Sequence, residues 1–286
     1  MGTRVVKVGG SEVEPGPNLE TALDWVCQGL EGGSPTVLVH GGGREIDEVC
    51  HRLGLETPKV RGLRRTTADV LEVVTMVLSG QVNLRLVQGL CQRGLRAVGL
   101  SGASGPLMVC APVGSVDGEL GLVGEPVEVE TRLVNWLWEG GYLPVLSPLS
   151  TTRGGQLLNV NADLFAGALA RTLGAELYLI TDVPGVLDAH GSPWSLLDTG
   201  RARDLLRERT VTAGMIPKLE AAVAAAESGS PAVWIGRLRR SGDRVEEDGT
   251  RIVPVRRGAP GQAPPWIPIR GPASRRRRPA PHEVPP

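Results

Sequence analysis

Arg4-Val5-Val6-Lys7-Val8-Gly9-Gly10 is a β-branched run that carries one cation and ends in two glycines. Valine on both sides of Lys7 predicts a short buried strand, in which lysine is an unusual guest. A buried ammonium is costly unless an anion meets it, so Lys7 requires a carboxylate partner or an anionic ligand. Gly9 and Gly10, having no Cβ, let bare backbone N–H groups come close to such an anion. The stretch reads either as a phosphate or carboxylate site at the carboxyl end of a first strand, or as an edge strand with a solvated lysine and a turn. The design then recurs: Thr36-Val37-Leu38-Val39-His40 is an apolar strand that runs into Gly41-Gly42-Gly43 and a helix beginning near Arg44. Those glycines either bring amides to an anion at the helix N-terminus or form a flexible turn.

Outward from these two units, apolar periodicity predicts a helix over 19–30 with Leu23, Val26, Cys27 and Leu30 on one face. A long helical pattern over 69–95 is expected to bend or break near Gly80, with Thr67 as its N-cap. Ala97-Val98-Gly99-Leu100 reads as a buried strand, Met108 to Val129 as a hairpin excursion, 131–139 as a helix and Leu143-Pro144-Val145-Leu146 as a strand. In the second half, Leu157-Leu158-Asn159-Val160-Asn161-Ala162-Asp163 runs into an alanine-rich helix over 164–173. Two amides and a carboxylate so close together mark a strand end or helix start with a polar task. Asp163 can also serve simply to charge the helix N-terminus. A strand over 177–181, a turn-rich loop over 182–188, a helix over 201–208, and a helix begun by Pro217 and Lys218 follow. Strands at 232–235 and 249–253 close the pattern. Strands alternating with helices predict an α/β fold, a three-layer αβα sandwich around a central, mainly parallel sheet.

The bulk numbers narrow the function. With 286 residues, 41% of them hydrophobic, the chain can build one large or two closely packed domains. The 31 basic and 31 acidic residues cancel, which gives the molecule no overall attraction to nucleic acid, and 3% aromatics argues against a base-stacking surface. The four cysteines lack metal-ligand spacing and read as reduced thiols, and the four histidines offer no zinc site. No apolar span is expected to cross a bilayer and no signal peptide is expected, so the protein is read as soluble and cytoplasmic. From Pro254 the composition turns to Pro, Gly and Arg, with Arg275 to Arg278 in succession, and predicts a disordered tail.

Taken in order, VKVGG, VHGGG, GLRRTT, VGLSG, LNVNAD, ITDVPGVLD and TAGMIPK over residues 3–253 resemble the amino acid kinase family, most closely its N-acetylglutamate-phosphorylating branch. The resemblance implies ATP-dependent phosphorylation of the side-chain carboxylate of N-acetyl-L-glutamate in arginine biosynthesis, with Mg²⁺ carried by the nucleotide. It implies a substrate lobe over 1–150 and a nucleotide lobe over 151–253, followed by the tail at 254–286. Matched motif to motif, Lys7 and Lys218 would stabilise the transferring phosphoryl group and Asp163 would orient both. Gly10, Gly42 and Gly43 would offer amides, Arg64 would bind the substrate α-carboxylate, and Asn159 would lie beside it. Asp182, Val183, Pro184, Gly185, Val186, Leu187, Thr210, Val211 and Thr212 would line the adenine nucleotide. A homodimer is implied as well.

The sequence departs from the family pattern at Ala103 and Ser104, where a lysine and an aspartate are common, at Ala213, and over the charged stretch 236–247. Two alternatives follow: a kinase for carrier-protein-linked aminoadipate, and a catalytically silent nucleotide-binding member.

Overall fold

The computed structural model describes residues 2–60, 62–114, 118–212 and 214–255. Ala213 and the expected tail from residue 256 onward, with its arginine run, lie outside the described residues. In chain order the elements are β1 (Arg4–Val8), a 3₁₀ turn (Gly10–Glu12), α1 (Pro17–Glu31), β2 (Thr36–His40), α2 (Gly43–Arg52), β3 (Lys59–Val60), β4 (Leu63–Arg64) and α3 (Ala68–Thr75). A π-helical segment (Met76–Val82) joins α3 to α4 (Asn83–Gln92), followed by β5 (Ala97–Ser101), β6 (Met108–Pro112), β7 (Val123–Val129), α5 (Arg132–Glu139), β8 (Leu143–Ser147), β9 (Leu149–Thr151) and β10 (Leu157–Val160). The remainder is α6 (Ala162–Leu173), β11 (Glu176–Ile180), β12 (Leu196–Asp198), α7 (Thr199–Glu208), α8 (Ile216–Glu227), β13 (Val233–Ser241) and β14 (Arg244–Val253).

Eight strands form one sheet in the order β12-β14-β13-β11-β1-β2-β8-β5. β1 pairs in parallel with β2 on one side and β11 on the other, so the chain builds outward from β1 in opposite directions in its two halves. In such a sheet the crevice lies beyond the carboxyl ends of the strands flanking the reversal, here the ends marked by Gly9-Gly10, Gly41-Gly43 and Thr181-Asp182. β13 and β14 alone pair antiparallel, which makes the sheet mainly parallel.

Side-chain alternation along the strands divides the core. Val5, Val37, Val39, Leu177, Leu179, Val233 and Ile235 face α5 to α8, while Val6, Val8, Leu38, Val145 and Ile180 face α1 to α4. Lys7 shares the parity of Val5, so its side chain is directed to the α6 and α8 face, where Phe165, Leu169 and Leu219 are wholly buried.

Several expectations are corrected. The helix over Ala68–Gln92 is continuous: Gly80 is absorbed by a π turn instead of a break. By length and apolarity that helix would suffice to cross a bilayer, contrary to the sequence reading, but half of its apolar window is buried against the first layer of the protein. β5 is an edge strand and only half-buried, because β8 flanks it on one side and the sheet ends on the other. The excursion over 108–129 does pair β6 with β7, and it also closes with β9 and β10 into a small barrel that alternation alone did not reveal. The charged stretch after Gly236 is a β-hairpin: β14 begins at Arg244, and Arg237 pairs with Asp248 across it.

Candidate active site

Lys7, Asp163 and Lys218 meet although 55 or more residues separate Asp163 from either lysine. β1 brings Lys7 from the sheet, and the first turns of α6 and α8 bring the other two. Asn161 caps α6 by accepting from the N–H groups of Asp163 at 2.9 Å and Leu164 at 3.2 Å, which leaves Asp163 free of capping duty and aimed at the lysines. Lys218 Nζ donates to Asp163 Oδ2 at 3.0 Å. Lys7 Nζ lies 2.9 Å from Oδ1 as an ion pair, out of line for a hydrogen bond.

Lys7 and Asp163 are buried and Lys218 is half-buried. Burial alone would push the Asp163 carboxyl up, yet the two ammonium groups outweigh it and hold the carboxyl down at about 2. Burial lowers Lys7, whose attraction to Asp163 is offset in part by Lys218. Lys218 is raised, since Asp163 overcomes its desolvation. Among the described residues Asp163 is the one carboxylate within ion-pair distance of either lysine, with Glu12 and Asp182 acting on them from farther away, and two cations on one carboxylate at the N-termini of two helices suit an anionic ligand.

The glycines follow from this geometry. A Cβ on Gly9 would stand 2.7 Å from Lys7 Nζ, and Gly10 has φ +67°, a conformation that disfavours side chains. In the second loop a Cβ on Gly42 would stand 2.7 Å from Leu78 Cδ2. His40 is buried and neutral, with burial lowering it to about 4. Its Nδ1–H donates to the Gly41 carbonyl at 2.8 Å, and its Nε2 accepts from Asn83 Nδ2 at 3.1 Å.

A cavity of about 210 Å³ brings together Lys7, Gly10, Gly42, Gly43, Arg64, Asn159 and Asp163. This is below the ~300–1,000 Å³ typical of pockets that enclose a whole cofactor and fits a small ligand. Arg64 is buried, paired with Asp47, and donates to the Gly43 carbonyl at 2.8 Å. Asn159 Nδ2 donates to Thr66 Oγ1 at 3.1 Å, and that hydroxyl donates to the Arg64 carbonyl at 2.9 Å. Lys59 also lines the cavity and meets Asp47 at 3.2 Å. The sequence reading missed it, because one lysine in a loop before GLRRTT carries no spacing signal. Arg64 and Lys59 thus already hold a carboxylate, that of Asp47.

The expected nucleotide residues do not line this cavity. Asp182 to Leu187 follow β11, and the Asp182 carboxylate lies 3.9 Å from Arg44. Gly185 has φ +111° and Thr250 Oγ1 accepts from the Val186 N–H at 2.8 Å, so the loop is moored to β14. Thr210, Val211 and Thr212 link α7 to α8, and the Thr212 carbonyl accepts from the Met215 N–H at 2.9 Å just before Lys218. The departures at Ala103 and Ser104 fall in a turn against β8 and β9, outside the cavity lining.

Residues 2–237 match the Amino acid kinase family. The acetylglutamate kinase of Methanopyrus kandleri is 44% identical over 233 residues, covering 79% of this chain and 91% of that protein. That of Geobacillus kaustophilus is 42% identical over 235 residues, covering 82% and 89%. Among solved structures, smu.665 from Streptococcus mutans UA159 superposes with a TM-score of 0.77 at 28% identity, over 88% of this chain and 98% of that one.

Proposed function

Because the chain belongs to the amino acid kinase family, we propose that it transfers the γ-phosphoryl group of ATP to the side-chain carboxylate of N-acetyl-L-glutamate, forming N-acetylglutamyl 5-phosphate in arginine biosynthesis. The observation that carries this reading is the pair of ammonium groups, one buried and one half-buried, on the buried Asp163, beside a cavity whose arginine and lysine already grip a carboxylate. The relatives lend no support to the carrier-linked aminoadipate or silent-member alternatives.

The nucleophile is ionised at neutral pH, so no general base is required. A carboxylate oxygen attacks the γ-phosphorus, the bond to the β–γ bridging oxygen breaks, and ADP departs with the electron pair. The difficulty is electrostatic, since two anions must approach. Lys7 and Lys218 neutralise the γ-phosphoryl oxygens from either side, and Asp163 holds both ammonium groups in place. Gly10, Gly42 and Gly43 donate amides to substrate and phosphate oxygens. Arg64 exchanges Asp47 for the substrate α-carboxylate, with Asn159 next to it.

The lobe over 1–150 holds the amino acid and that over 151–253 the nucleotide, whose adenine side is lined by residues 182–187 and 210–212. In this reading magnesium arrives on the nucleotide. Two groups suit its hydration shell: exposed Asp182, and Glu12, whose buried Oε2 has no hydrogen-bond partner. Magnesium would supply charge neutralisation of the β- and γ-phosphates. Free cysteines accord with a reducing cytoplasm, and the open edge of β5 accords with a homodimer.

The test is trapping of the acyl phosphate with hydroxylamine across a panel of free and N-acylated acidic amino acids with Mg-ATP. Hydroxamate from N-acetylglutamate above all others is expected. Turnover confined to a different acidic amino acid would overturn the substrate assignment.

A further inference from the structure

The two glycine loops of this site end neighbouring parallel strands, and at their base the Gly41 N–H donates to the Val8 carbonyl at 2.8 Å, while farther out exposed Arg44 lies 3.5 Å from Glu14. The stretch from Leu78 to Arg85, spanning the π segment and the start of α4, holds them. Leu78 and Val82 pack on Gly42, where an added Cβ would meet them at 2.7 and 3.2 Å. Gln81 Nε2 donates to Glu45 Oε2 at 2.5 Å, and Glu45, in the first turn of α2, is buried. Arg85 makes the longest reach: its Nη1 and Nη2 donate to the two Glu45 oxygens at 2.6 and 3.0 Å, and Nη1 also donates to the Val13 carbonyl at 2.7 Å. Val13 closes the turn that begins at Gly10. Of the contacts made by this stretch, only that of Arg85 reaches the first loop.

We infer that Arg85 is a positioning residue for phosphoryl transfer, a guanidinium that fixes the outer parts of the two glycine loops, beyond the Gly41–Val8 bond at their base, by gripping Glu45 on one and the Val13 carbonyl on the other. The inference rests on the reaction proposed above. A guanidinium presents its donors in a rigid planar fork, so three acceptors held at once become fixed relative to each other. A lysine ammonium in its place would satisfy Glu45 but could not hold the same three-acceptor geometry. Reacting groups misplaced by about 1 Å can cost on the order of 10²-fold in rate, which makes loop spacing a catalytic quantity.

The experiment compares the full-length wild type with Arg85→Lys, Arg85→Met and the swap Glu45→Arg/Arg85→Glu. Turnover is followed on whichever acidic substrate the wild type phosphorylates, and thermal midpoint and amide hydrogen exchange are measured in parallel. Arg85→Lys is expected to keep its midpoint within about 4 °C while kcat falls about 10- to 100-fold and each KM changes less than about threefold. The swap rebuilds the ion pair but offers the Val13 carbonyl no donor from position 85. It is therefore expected to recover midpoint relative to Arg85→Met without recovering kcat, and exchange over 9–14 should stay about tenfold faster than in the wild type. Wild-type kcat in Arg85→Lys, kcat that returns with the midpoint in the swap, or unchanged exchange over 9–14 overturns the tether. A wild type inactive on N-acetylglutamate counts against the proposed substrate instead, and the exchange measurement still decides the tether.

Discussion

At the residue scale, the lysine inside β1 is legible from sequence because burial and charge conflict there, and the conflict demands a partner. The sequence could not say which carboxylate answers it without the family pattern, since contact between Lys7 and Asp163 depends on strand parity and on the entry angle of α6. If the two ammonium groups neutralise the travelling phosphoryl group, Lys7→Met and Lys218→Met should each lower kcat by about 10² to 10³ in the hydroxamate assay. His40 leads to a separate prediction. Its folded-state value of about 4 lies below the ordinary 6.5, so between those values the unfolded chain binds more protons and stability rises with pH. The contribution is fully present above 6.5 and is lost as pH falls through 4, on the order of 3 kcal/mol in all. The Asp163 carboxyl is also depressed, but its loss falls between the ordinary 3.8 and about 2. Glu12, Glu220 and Glu247, each raised by burial above the ordinary 4.5, act in the opposite sense within this range, so the His40 contribution is the difference between the wild-type slope and that of a His40 variant. Denaturant unfolding at half-unit pH steps should show a steeper rise of stability with pH in the wild type than in His40→Gln.

At the scale of elements, glycines mark where two pieces of backbone and side chain compete for one space. A Cβ on Gly99 would stand 2.0 Å from Asn83 Oδ1, and Asn83 also donates to His40 and, at 3.0 Å, to the Val145 carbonyl. Gly99→Ala should push Asn83 off His40 and destabilise the protein by about 1–3 kcal/mol in urea unfolding. Turnover should decline with it, because His40 carries the Gly41 carbonyl. The sequence showed Gly99 as one more residue in an apolar strand, for the clash is with a helix 16 positions earlier. Gly80 misled in the other direction. It was expected to bend or break the long helix, and the chain does not break there: a π turn accommodates it and leaves Leu78, Val82 and Arg85 directed at the glycine loops. The hairpin of β13 and β14 escaped notice for a different reason: past Gly236 its strands are held by backbone pairing and by ion pairs such as Arg237–Asp248, with little apolar alternation to read.

At the scale of the whole molecule, the alternation of strands and helices was enough to predict the layered sheet, whereas the order of its strands was not, because pairing across the sheet is non-local. That order leaves β5 at one end with a row of backbone groups unpaired on its outer side. The helices covering that end carry large exposed apolar residues: Met76 in the π segment, Leu84 on α4 and Trp136 on α5 are 59%, 56% and 66% exposed. An open edge flanked by apolar side chains on both faces invites a second sheet edge, and the simplest source is another copy of this chain. Burying one such side chain is worth about 1.5–3 kcal/mol. Placing charges at two of these positions should then weaken self-association by about 10²- to 10⁴-fold. Sedimentation velocity over a range of protein concentrations is expected to show a wild-type dimer and a largely monomeric Met76→Glu/Leu84→Arg variant. Since the cavity residues Lys7, Arg64, Asn159 and Asp163 all come from one chain, the monomeric variant should still form hydroxamate. A wild type that sediments as a monomer at every concentration would show that this edge stays unpaired, and a variant that is monomeric and inactive would show that the partner shapes the site.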